Sequence, residues 1–263
     1  MVRPVRTPPP DGGVQSVFTA VDVLECLMRE EEVGVSDVAR RLGVAKSTAH
    51  RLLTTLCARD LAERNPDTGR YRLGMRLFEL GQMASDRFPL RRAALPLLEE
   101  LRQASGHTVH LSVADGADVV FVERLHTLAG IRMMADSGRR MPAHVTSGGK
   151  VLAAFDPAVA QARRQAGFPR MTERTITSAA DWDRTLADVR RSGIAVSIGE
   201  SHPQLTSVAA PVRNARGRAF AAISVAGPSP EFGDFGRASR LVLTAAAKLS
   251  HTLAGRVGRG LAS

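Results

Sequence analysis

The sequence has only two cysteines, Cys26 and Cys57, and no Cys-x-x-Cys pair or Cys/His spacing of a metal site. Neither a disulfide framework nor a structural zinc site is therefore indicated, and we interpret both cysteines as small core residues. No run of about 18 or more apolar residues is present, so we predict no membrane-spanning helix. Residues 1–13 lack the apolar segment of a secretory signal, and we expect a disordered lead-in and a cytoplasmic protein.

Lysine is also scarce, and the only lysines are Lys46, Lys150 and Lys248. The formal net charge is +10, but residues 1–87 hold 13 basic and 12 acidic residues, whereas residues 88–263 hold 23 and 14. The overall charge is therefore weak support for nucleic-acid binding, because the surplus lies far from the best DNA-binding candidate. The local balance is more informative. The segment Arg40–Arg59 contains five basic residues and no acid, which can supply a salt-dependent attraction to phosphate.

The stretch Val35–Asp60 has the pattern of two short amphipathic helices joined by a tight turn. Ser36 lies where an N-cap is expected, and Gly43 ends the first helix because glycine tolerates the left-handed conformation of a helix exit. Apolar residues recur at helical spacing in both helices, first at Val35, Val38, Ala39 and Leu42, then at Ala49, Leu52, Leu53, Leu56 and Cys57. This combination predicts a helix-turn-helix.

The other face of the second predicted helix is basic and rich in hydroxyl groups. In a helix-turn-helix this helix enters the major groove of duplex DNA. Lys46 and Arg51 can meet phosphate or guanine, and hydroxyl or imidazole groups can bind phosphate or base edges. The predicted contacts are Arg40, Lys46, Ser47, Thr48, His50 and Arg51. The alternative is an ordinary helical hairpin with a solvated polar face, and spacing alone does not decide between the two.

Two short strand-like runs follow directly, at Leu61–Arg64 and Arg70–Leu73. The residues between them, Asn65–Gly69, are typical turn formers. A hairpin directly after a recognition helix is the wing of a winged helix, so this pattern favours DNA binding over the simple hairpin. Basic residues on the wing can contact the DNA backbone, and those considered are Arg64, Arg70 and Arg72.

The segments GVAKSTAHRLLTTL and DTGRYRLG resemble the N-terminal domain of IclR-family transcriptional regulators. The likeness continues in that family's order from about Val14 to Leu249, through Arg91–Leu101, His107–Arg124, Gly138–Phe155, Arg190–Glu200, Val208–Asn214 and Phe220–Pro228. The resemblance implies an α+β protein with an N-terminal winged helix-turn-helix, a linker helix that packs between protomers, and a C-terminal GAF-like α/β effector domain. It also implies dimers that can pair into tetramers.

A chain of 263 residues is longer than a winged helix requires, so two domains are expected. The expected division is a lead-in at 1–13, a DNA-binding domain at 14–74, a linker helix at 75–88, an effector-binding and oligomerisation domain at 89–255, and a tail at 256–263. In the first helix, Val14–Arg29, Val17, Val21, Leu24 and Met28 keep a helical period, and Val23 and Leu27 widen this apolar stripe.

In the second domain, strand-like runs come in hairpins with helices between them, which predicts a mostly antiparallel sheet covered by helices. The predicted helices are Leu95–Ala104, Ser147–Phe155, Pro157–Ala166, Ala180–Arg191 and Arg237–Ala254. The predicted strands are His107–Val113, Val119–Arg124, Ile131–Ala135, Ile194–Ile198, Ser207–Arg213 and Ala219–Ala226. A turn is expected at Gly138–Met141.

The segment Thr146–Lys150, with sequence TSGGK, is the second candidate site. It does not match a P-loop, because His144 stands where the first glycine is needed and valine follows Lys150. Ser147 and Lys150 form an S-x-x-K pair, but the companion motifs of penicillin-binding enzymes are missing. A GAF-type thiol reductase would need a cysteine in this domain. A glycine-rich turn that opens a helix remains suited to binding an anion or small ligand.

Carried over by resemblance, the family's effector pocket comprises Ser147, Gly148, Leu205, Ser207 and Ser224. The prototype regulator has an acidic residue and a cysteine where this chain has Ser197 and Ser207, and Gln204 replaces a common glycine. The resemblance therefore predicts the location of the pocket better than it predicts which ligand the pocket binds. For each serine the alternative is an ordinary strand hydroxyl.

The histidines of the second domain offer a weaker signal. His107 and His110 are three residues apart at a strand start, so we expect them on opposite faces and not at one metal site. A wider set of basic residues lies nearby in the predicted sheet: His107, His110, Arg124, His126, Arg132 and His144. We expect one or two of them to contact a carboxylate ligand and the others to be surface or structural residues. We interpret Lys150 as a charge at a helix start. No metal and no cofactor are predicted.

Two hypotheses from different classes follow. In the first, the chain is a regulator that binds a palindromic DNA operator as a homodimer or homotetramer and responds to a small-molecule effector. On this hypothesis it does not associate with a membrane and is not an enzyme. In the second, the C-terminal domain is an enzyme with Ser147 as nucleophile and Lys150 as base, and the N-terminal part is an interaction module.

Overall fold

The computed structural model describes residues 13–28, 30–128, 138–214, 216–229 and 232–260. The chain divides into two compact units, Met1–Asp86 and Arg87–Ser263. No helix among these described residues has the length and apolar character needed to cross a membrane.

The N-terminal unit is a winged helix. Its core contains Val23, Leu27, Ala39, Ala49 and Leu53, and the two alanines are buried where the helices meet. β1 and β2 pair antiparallel to form the wing. The elements are α1 (Gln15–Leu27), α2 (Val35–Leu42), α3 (Lys46–Cys57), β1 (Ala62–Arg64), β2 (Tyr71–Leu73) and α4 (Met75–Asp86).

Two local predictions in this unit need correction. Gly34, not Ser36, is the N-cap of α2, and it makes no side-chain cap hydrogen bond. In α1 the core face is Thr19, Val23, Cys26 and Leu27. Val23 and Leu27, which widen the predicted stripe, are thus buried, whereas Val17, Val21 and Met28 of its main period are exposed. Apolar residues occupy two faces of this helix, so their period alone did not identify the buried one. Gly43, in contrast, ends α2 in the left-handed conformation at φ 61°, as predicted.

The C-terminal unit contains one six-stranded antiparallel sheet in the order β5-β4-β3-β8-β7-β6. Its strands are β3 (Thr108–Asp115), β4 (Asp118–Leu125), β5 (Arg140–Pro142), β6 (Ala195–Ile198), β7 (Leu205–Arg213) and β8 (Ala219–Pro228). Its helices are α5 (Pro89–Ser105), α6 (Ser147–Phe155), α7 (Pro157–Ala166), α8 (Ala179–Ser192) and α9 (Phe235–Gly260). The predicted α+β class is confirmed.

The two faces of this sheet pack against different helices. On one face Leu111, Val208 and Ile223 form a core with residues of α5 and α9. On the other face Phe121, Ala209 and Ala222 form a core with residues of α6 and α8, including the fully buried Trp182. Side chains alternate between the two faces along a strand. Strand residues next to Leu111, Val208 and Ile223 therefore point toward α6.

Other predictions in this unit need correction. α5 begins at Pro89, not Leu95, because proline is well tolerated in the first helical turn. The expected turn at Gly138–Met141 includes the start of strand β5, which pairs with β4. The apolar residues of the helix predicted at Arg237–Ala254 include Leu243, but in α9 Val242 is buried and Leu243 is exposed. The strand expected at Ile131–Ala135 lies outside the described residues.

Candidate DNA-binding surface and polar face of the sheet

The face of α3 predicted to contact DNA is uncovered. Ala49, Leu53 and Leu56 anchor α3 in the core, and the opposite side carries five exposed polar side chains, Lys46, Ser47, Thr48, His50 and Arg51. The N-cap Ala45 makes no side-chain cap hydrogen bond to the first turn. Basic groups, hydroxyls and backbone N–H donors therefore share one end of this helix, which suits an approach to a phosphate backbone.

The arginines flanking α3 are engaged with acidic groups of the same unit. Arg40 pairs with Asp37 at 2.7 Å but remains well exposed. Arg72 donates from Nε and Nη2 to the Glu63 carboxylate, each at 3.1 Å. Exposed pairs of this kind contribute little stability and can exchange for a phosphate.

Glu32 is a structural residue that the sequence analysis did not identify. Its carboxylate accepts hydrogen bonds from Asn65 Nδ2 at 2.5 Å and Thr68 Oγ1 at 2.8 Å, both in the wing turn. Its carbonyl oxygen accepts from Arg70 Nη2 at 3.1 Å. The two side-chain hydrogen bonds to the carboxylate lower the pKa of Glu32. Arg70 thus helps to fix the wing, in addition to any contact it makes with DNA.

In the C-terminal unit, hydroxyl groups cluster where α6 begins. Ser147, the first residue of α6, is buried and its Oγ donates to Ser207 Oγ at 2.8 Å. Ser207 lies opposite Ser197 of β6, and Ser224 of β8 lies opposite His110 of β3. Leu205 is two residues before Ser207, so it lies on the same face.

The glycine pair of α6 serves packing. Gly148 and Gly149 lie inside the first helical turn, which Thr146 caps by accepting from the Gly149 N–H at 3.0 Å. A Cβ on Gly149 would lie 2.2 Å from the Ala143 carbonyl oxygen, and one on Gly148 would lie 2.7 Å from Ser112 Oγ. The helix predicted at Ser147–Phe155 is present with these bounds, but both glycines lie within it and not in a turn before it. The structure shows a helix start pressed against its neighbours.

Lys150 is buried, which corrects its interpretation as a helix-start charge. Its Nζ donates to Val196 O at 2.9 Å and to Glu200 Oε1 at 2.5 Å. Burial raises the pKa of Glu200 and lowers that of Lys150, and each partner opposes the other's shift. The ion pair ties α6 to the segment after β6, and it directs Nζ to groups other than the Ser147 hydroxyl.

His107, His110 and His144 lie in three separate surroundings. His107 stacks on Phe232 with ring centroids 4.9 Å apart, whereas His110 packs against Phe121 in the other core. His144 is buried with Nε2 3.1 Å from Pro169 O, and burial lowers its pKa to about 4. Among the described residues, no group of three or more His, Cys, Asp and Glu side chains is placed to hold a metal ion.

A winged helix with an uncovered basic helix, followed by an α/β domain with a polar sheet face, is the architecture of a DNA-binding transcriptional regulator. Two family models match the chain. The IclR helix-turn-helix domain matches residues 16–66, and the bacterial transcriptional regulator IclR C-terminal domain matches residues 82–251. The chain belongs to the IclR family of transcriptional regulators.

Similar proteins span almost the whole chain. The glycerol operon regulatory protein of Streptomyces griseus is 33% identical over 248 residues, covering 94% of this chain and 98% of the relative. The transcriptional repressor IclR of Escherichia coli is 28% identical, with 88% and 86% coverage.

Solved structures agree with the fold. An IclR regulator from Alicyclobacillus acidocaldarius superposes with a TM-score of 0.79 at 29% identity, covering 90% of this chain and 98% of that chain. An IclR homologue from Microbacterium hydrocarbonoxydans, complexed with 4-hydroxybenzoate, superposes with a TM-score of 0.77 at 30% identity and the same coverage.

Proposed function

We propose that this regulator binds a palindromic operator as a homodimer or homotetramer, and that a small organic acid or pathway metabolite bound in the C-terminal domain modulates the binding. The observation that carries the proposal is the exposed face of α3 from Lys46 to Arg51. Two recognition helices related by a dimer axis would read two half-sites about one helical turn of DNA apart.

The proposed DNA contacts fall into two groups, according to whether the side chain is already held by another group of the protein. Lys46, Ser47, Thr48, His50 and Arg51 would enter the major groove and supply base and phosphate contacts. The flanking arginines would bind phosphate from positions set by their own acidic or carbonyl partners, and these are Arg40, Arg70 and Arg72.

Two exposed apolar stripes support the dimer. On α1, Val14, Val17, Val21 and Met28 are 48–71% exposed and recur on one side of the helix. On α4, Met75, Phe78, Leu80 and Met83 are 46–64% exposed, and no residue of this helix is buried. Exposed apolar surface of this extent on two helices of one unit is typical of a protein interface.

The effector would bind at the N-terminal end of α6, in contact with Ser147, Gly148, Leu205, Ser207 and Ser224. The proximity of the Ser147 and Ser207 hydroxyls supports this location. The Microbacterium homologue, which is complexed with 4-hydroxybenzoate, supports an organic acid as the class of ligand. An effector can act only if it binds one arrangement of the dimer better than another.

The same geometry favours regulation over catalysis by the C-terminal domain. A Ser147 nucleophile would need Lys150 as its base, but the Lys150 amine is committed to Glu200 and Val196. We therefore propose no enzymatic activity. Covalent labelling of Ser147 by an acylating probe, lost in Ser147→Ala, would contradict this.

The proposal is tested by selecting fragments of the source genome that bind the full chain, and by titrating metabolites against the selected fragment. We expect a short palindrome to be enriched and at least one metabolite to change its affinity. Enrichment without any sequence preference would contradict operator recognition, and an affinity that no metabolite changes would contradict effector control.

A further inference from the structure

Two neighbouring histidines, the buried His110 and the half-buried His126, each have one buried ring nitrogen without a hydrogen-bond partner among the described residues. His110 of β3 is 4% exposed, and the ring of His126, just after β4, lies 6.5 Å from it in an edge-on arrangement. Within the part of the chain that the structure describes, neither His110 Nε2 nor His126 Nδ1 has a hydrogen-bond partner. Buried polar atoms are almost always paired, so two orphaned nitrogens in one place indicate that a partner binds there.

The surroundings of this histidine pair are positively charged. Arg124 of β4 lies opposite His110 in register, and its guanidinium stacks on Phe121 with Cζ 4.3 Å from the ring centroid. Arg139, which precedes β5, adds a second guanidinium whose charge acts on His126. Burial, and after it Arg124 and His126, lower the pKa of His110 to about 3. Burial, Arg124 and Arg139 lower the pKa of His126. A bound cation would therefore be repelled, whereas an anion would offset these charges.

The pair also adjoins the proposed effector pocket. Ser224 is the register partner of His110 on β8, and Ser224 in turn lies opposite Ala209 on β7. Ser207 is two residues from Ala209 on the same face, about 7 Å away along the strand. A small molecule that contacts Ser207 and Ser147 can therefore reach His110 across Ser224.

We propose that His110 and His126 form the anion-binding end of the effector pocket and hold the carboxylate of a small organic acid whose other end lies toward Ser147 and Ser207. This inference deepens the proposed effector control and rests on it for the function of the site. The carboxylate would accept a hydrogen bond from each imidazole and offset the charge of Arg124 and Arg139. A monovalent carboxylate suits two imidazole donors better than a phosphate dianion, which needs more donors.

The test uses formate, the smallest carboxylate, because it can reach such a site whatever shape the natural effector has. Full-length protein is labelled with 15N-histidine, and imidazole signals are followed at pH 7 during titration with sodium formate at constant ionic strength. His110→Gln and His126→Gln identify the two signals, and exposed His251 is the reference. Formamide tests the need for charge, and inorganic phosphate tests selectivity among anions.

We expect saturable shifts of the His110 and His126 signals with formate, while the His251 signal is unchanged. Formamide should produce no such shifts, and phosphate should produce at most weak ones. The inference is overturned if the two signals do not respond to formate, or respond equally to formamide or phosphate. Should His110→Gln fail to fold, His126→Gln, at a half-buried position, still identifies one signal of the pair.

A separate readout distinguishes this inference from the proposed function. Operator affinity is measured with and without a panel of carboxylates and their amides, in wild type and His126→Gln. A histidine response to formate without any effect of carboxylates on operator binding would support the anion site and contradict effector control. Control by neutral metabolites that persists unchanged in His126→Gln would support effector control and overturn the anion site.

Discussion

At the scale of single residues, Glu32 illustrates a role that sequence patterns did not reveal. It stands in a run of three glutamates before α2, where the sequence suggests only a polar lead-in. In the folded unit its carboxylate binds the wing turn through Asn65 and Thr68, residues more than 30 positions away. Contacts between residues this distant in sequence produce no periodic pattern. The turn-forming residues therefore predicted the wing, but not the Glu32 carboxylate that holds it.

Glu32→Gln is expected to destabilise the N-terminal unit in a pH-dependent manner. The pKa of Glu32 is lowered on folding, so its carboxylate stabilises the fold above the unfolded pKa, and this contribution is lost as pH falls below about 4. The thermal midpoint of the variant should lie below that of wild type at pH 7 and approach it at pH 3.5. Glu31→Gln, at the exposed neighbouring position, is the control and should show no such convergence.

The buried pair Lys150–Glu200 makes a second prediction at this scale. Lys150→Met leaves the Glu200 carboxylate buried without its partner, and the expected cost is about 3–5 kcal/mol of unfolding free energy. The double variant Lys150→Met/Glu200→Gln should recover a large part of this loss, because no charge then remains to be buried. Urea denaturation of wild type, Lys150→Met, Glu200→Gln and the double variant measures the full double-mutant cycle. A double variant no more stable than Lys150→Met would contradict this account.

At the scale of elements, periodicity located α2, α3 and α8 and their buried faces, since each has one apolar stripe and one polar face. On α1 periodicity identified only part of the buried face, because the exposed Val17 and Val21 repeat as regularly as the buried Val23 and Leu27. It failed at Gly138–Met141, because a three-residue edge strand is fixed by pairing with β4 and not by its own pattern. Of the candidate site, the exposed set on α3 could be predicted, but the buried partners of Lys150 and His110 depend on tertiary contacts.

The two glycines at the start of α6 predict a graded effect of adding a methyl group. Gly149→Ala would press Cβ against the Ala143 backbone, which cannot move away freely, so we expect a loss of about 1–3 kcal/mol or more. Gly148→Ala meets the Ser112 hydroxyl, which can rotate, so its cost should be smaller. Denaturant unfolding of both variants checks the order, and an equal loss would show that backbone crowding is not the cause.

At the scale of the whole molecule, the exposed stripe of α1 should hold two protomers together. Val21→Asp places a charge in the stripe between Val17 and Met28, and burying that charge in an interface is unfavourable. We expect the variant to shift toward monomer in sedimentation equilibrium and to bind the operator more weakly, with an unchanged circular dichroism spectrum. Met171→Asp, at an exposed apolar position of the other unit, is the matched control. Equal dimerisation of the two variants would exclude this stripe from the interface.

The uncovered side of α3 is proposed to read operator DNA, and Arg51→Ala removes the side chain best suited to this contact. Affinity for the selected operator is measured by fluorescence anisotropy at fixed salt, with Arg184→Ala, an exposed arginine of the C-terminal unit, as control. We predict a loss of about 1–3 kcal/mol for Arg51→Ala, relaxed sequence preference and an unchanged melting temperature, with wild-type binding by the control. Wild-type affinity and sequence preference in Arg51→Ala would contradict this proposal.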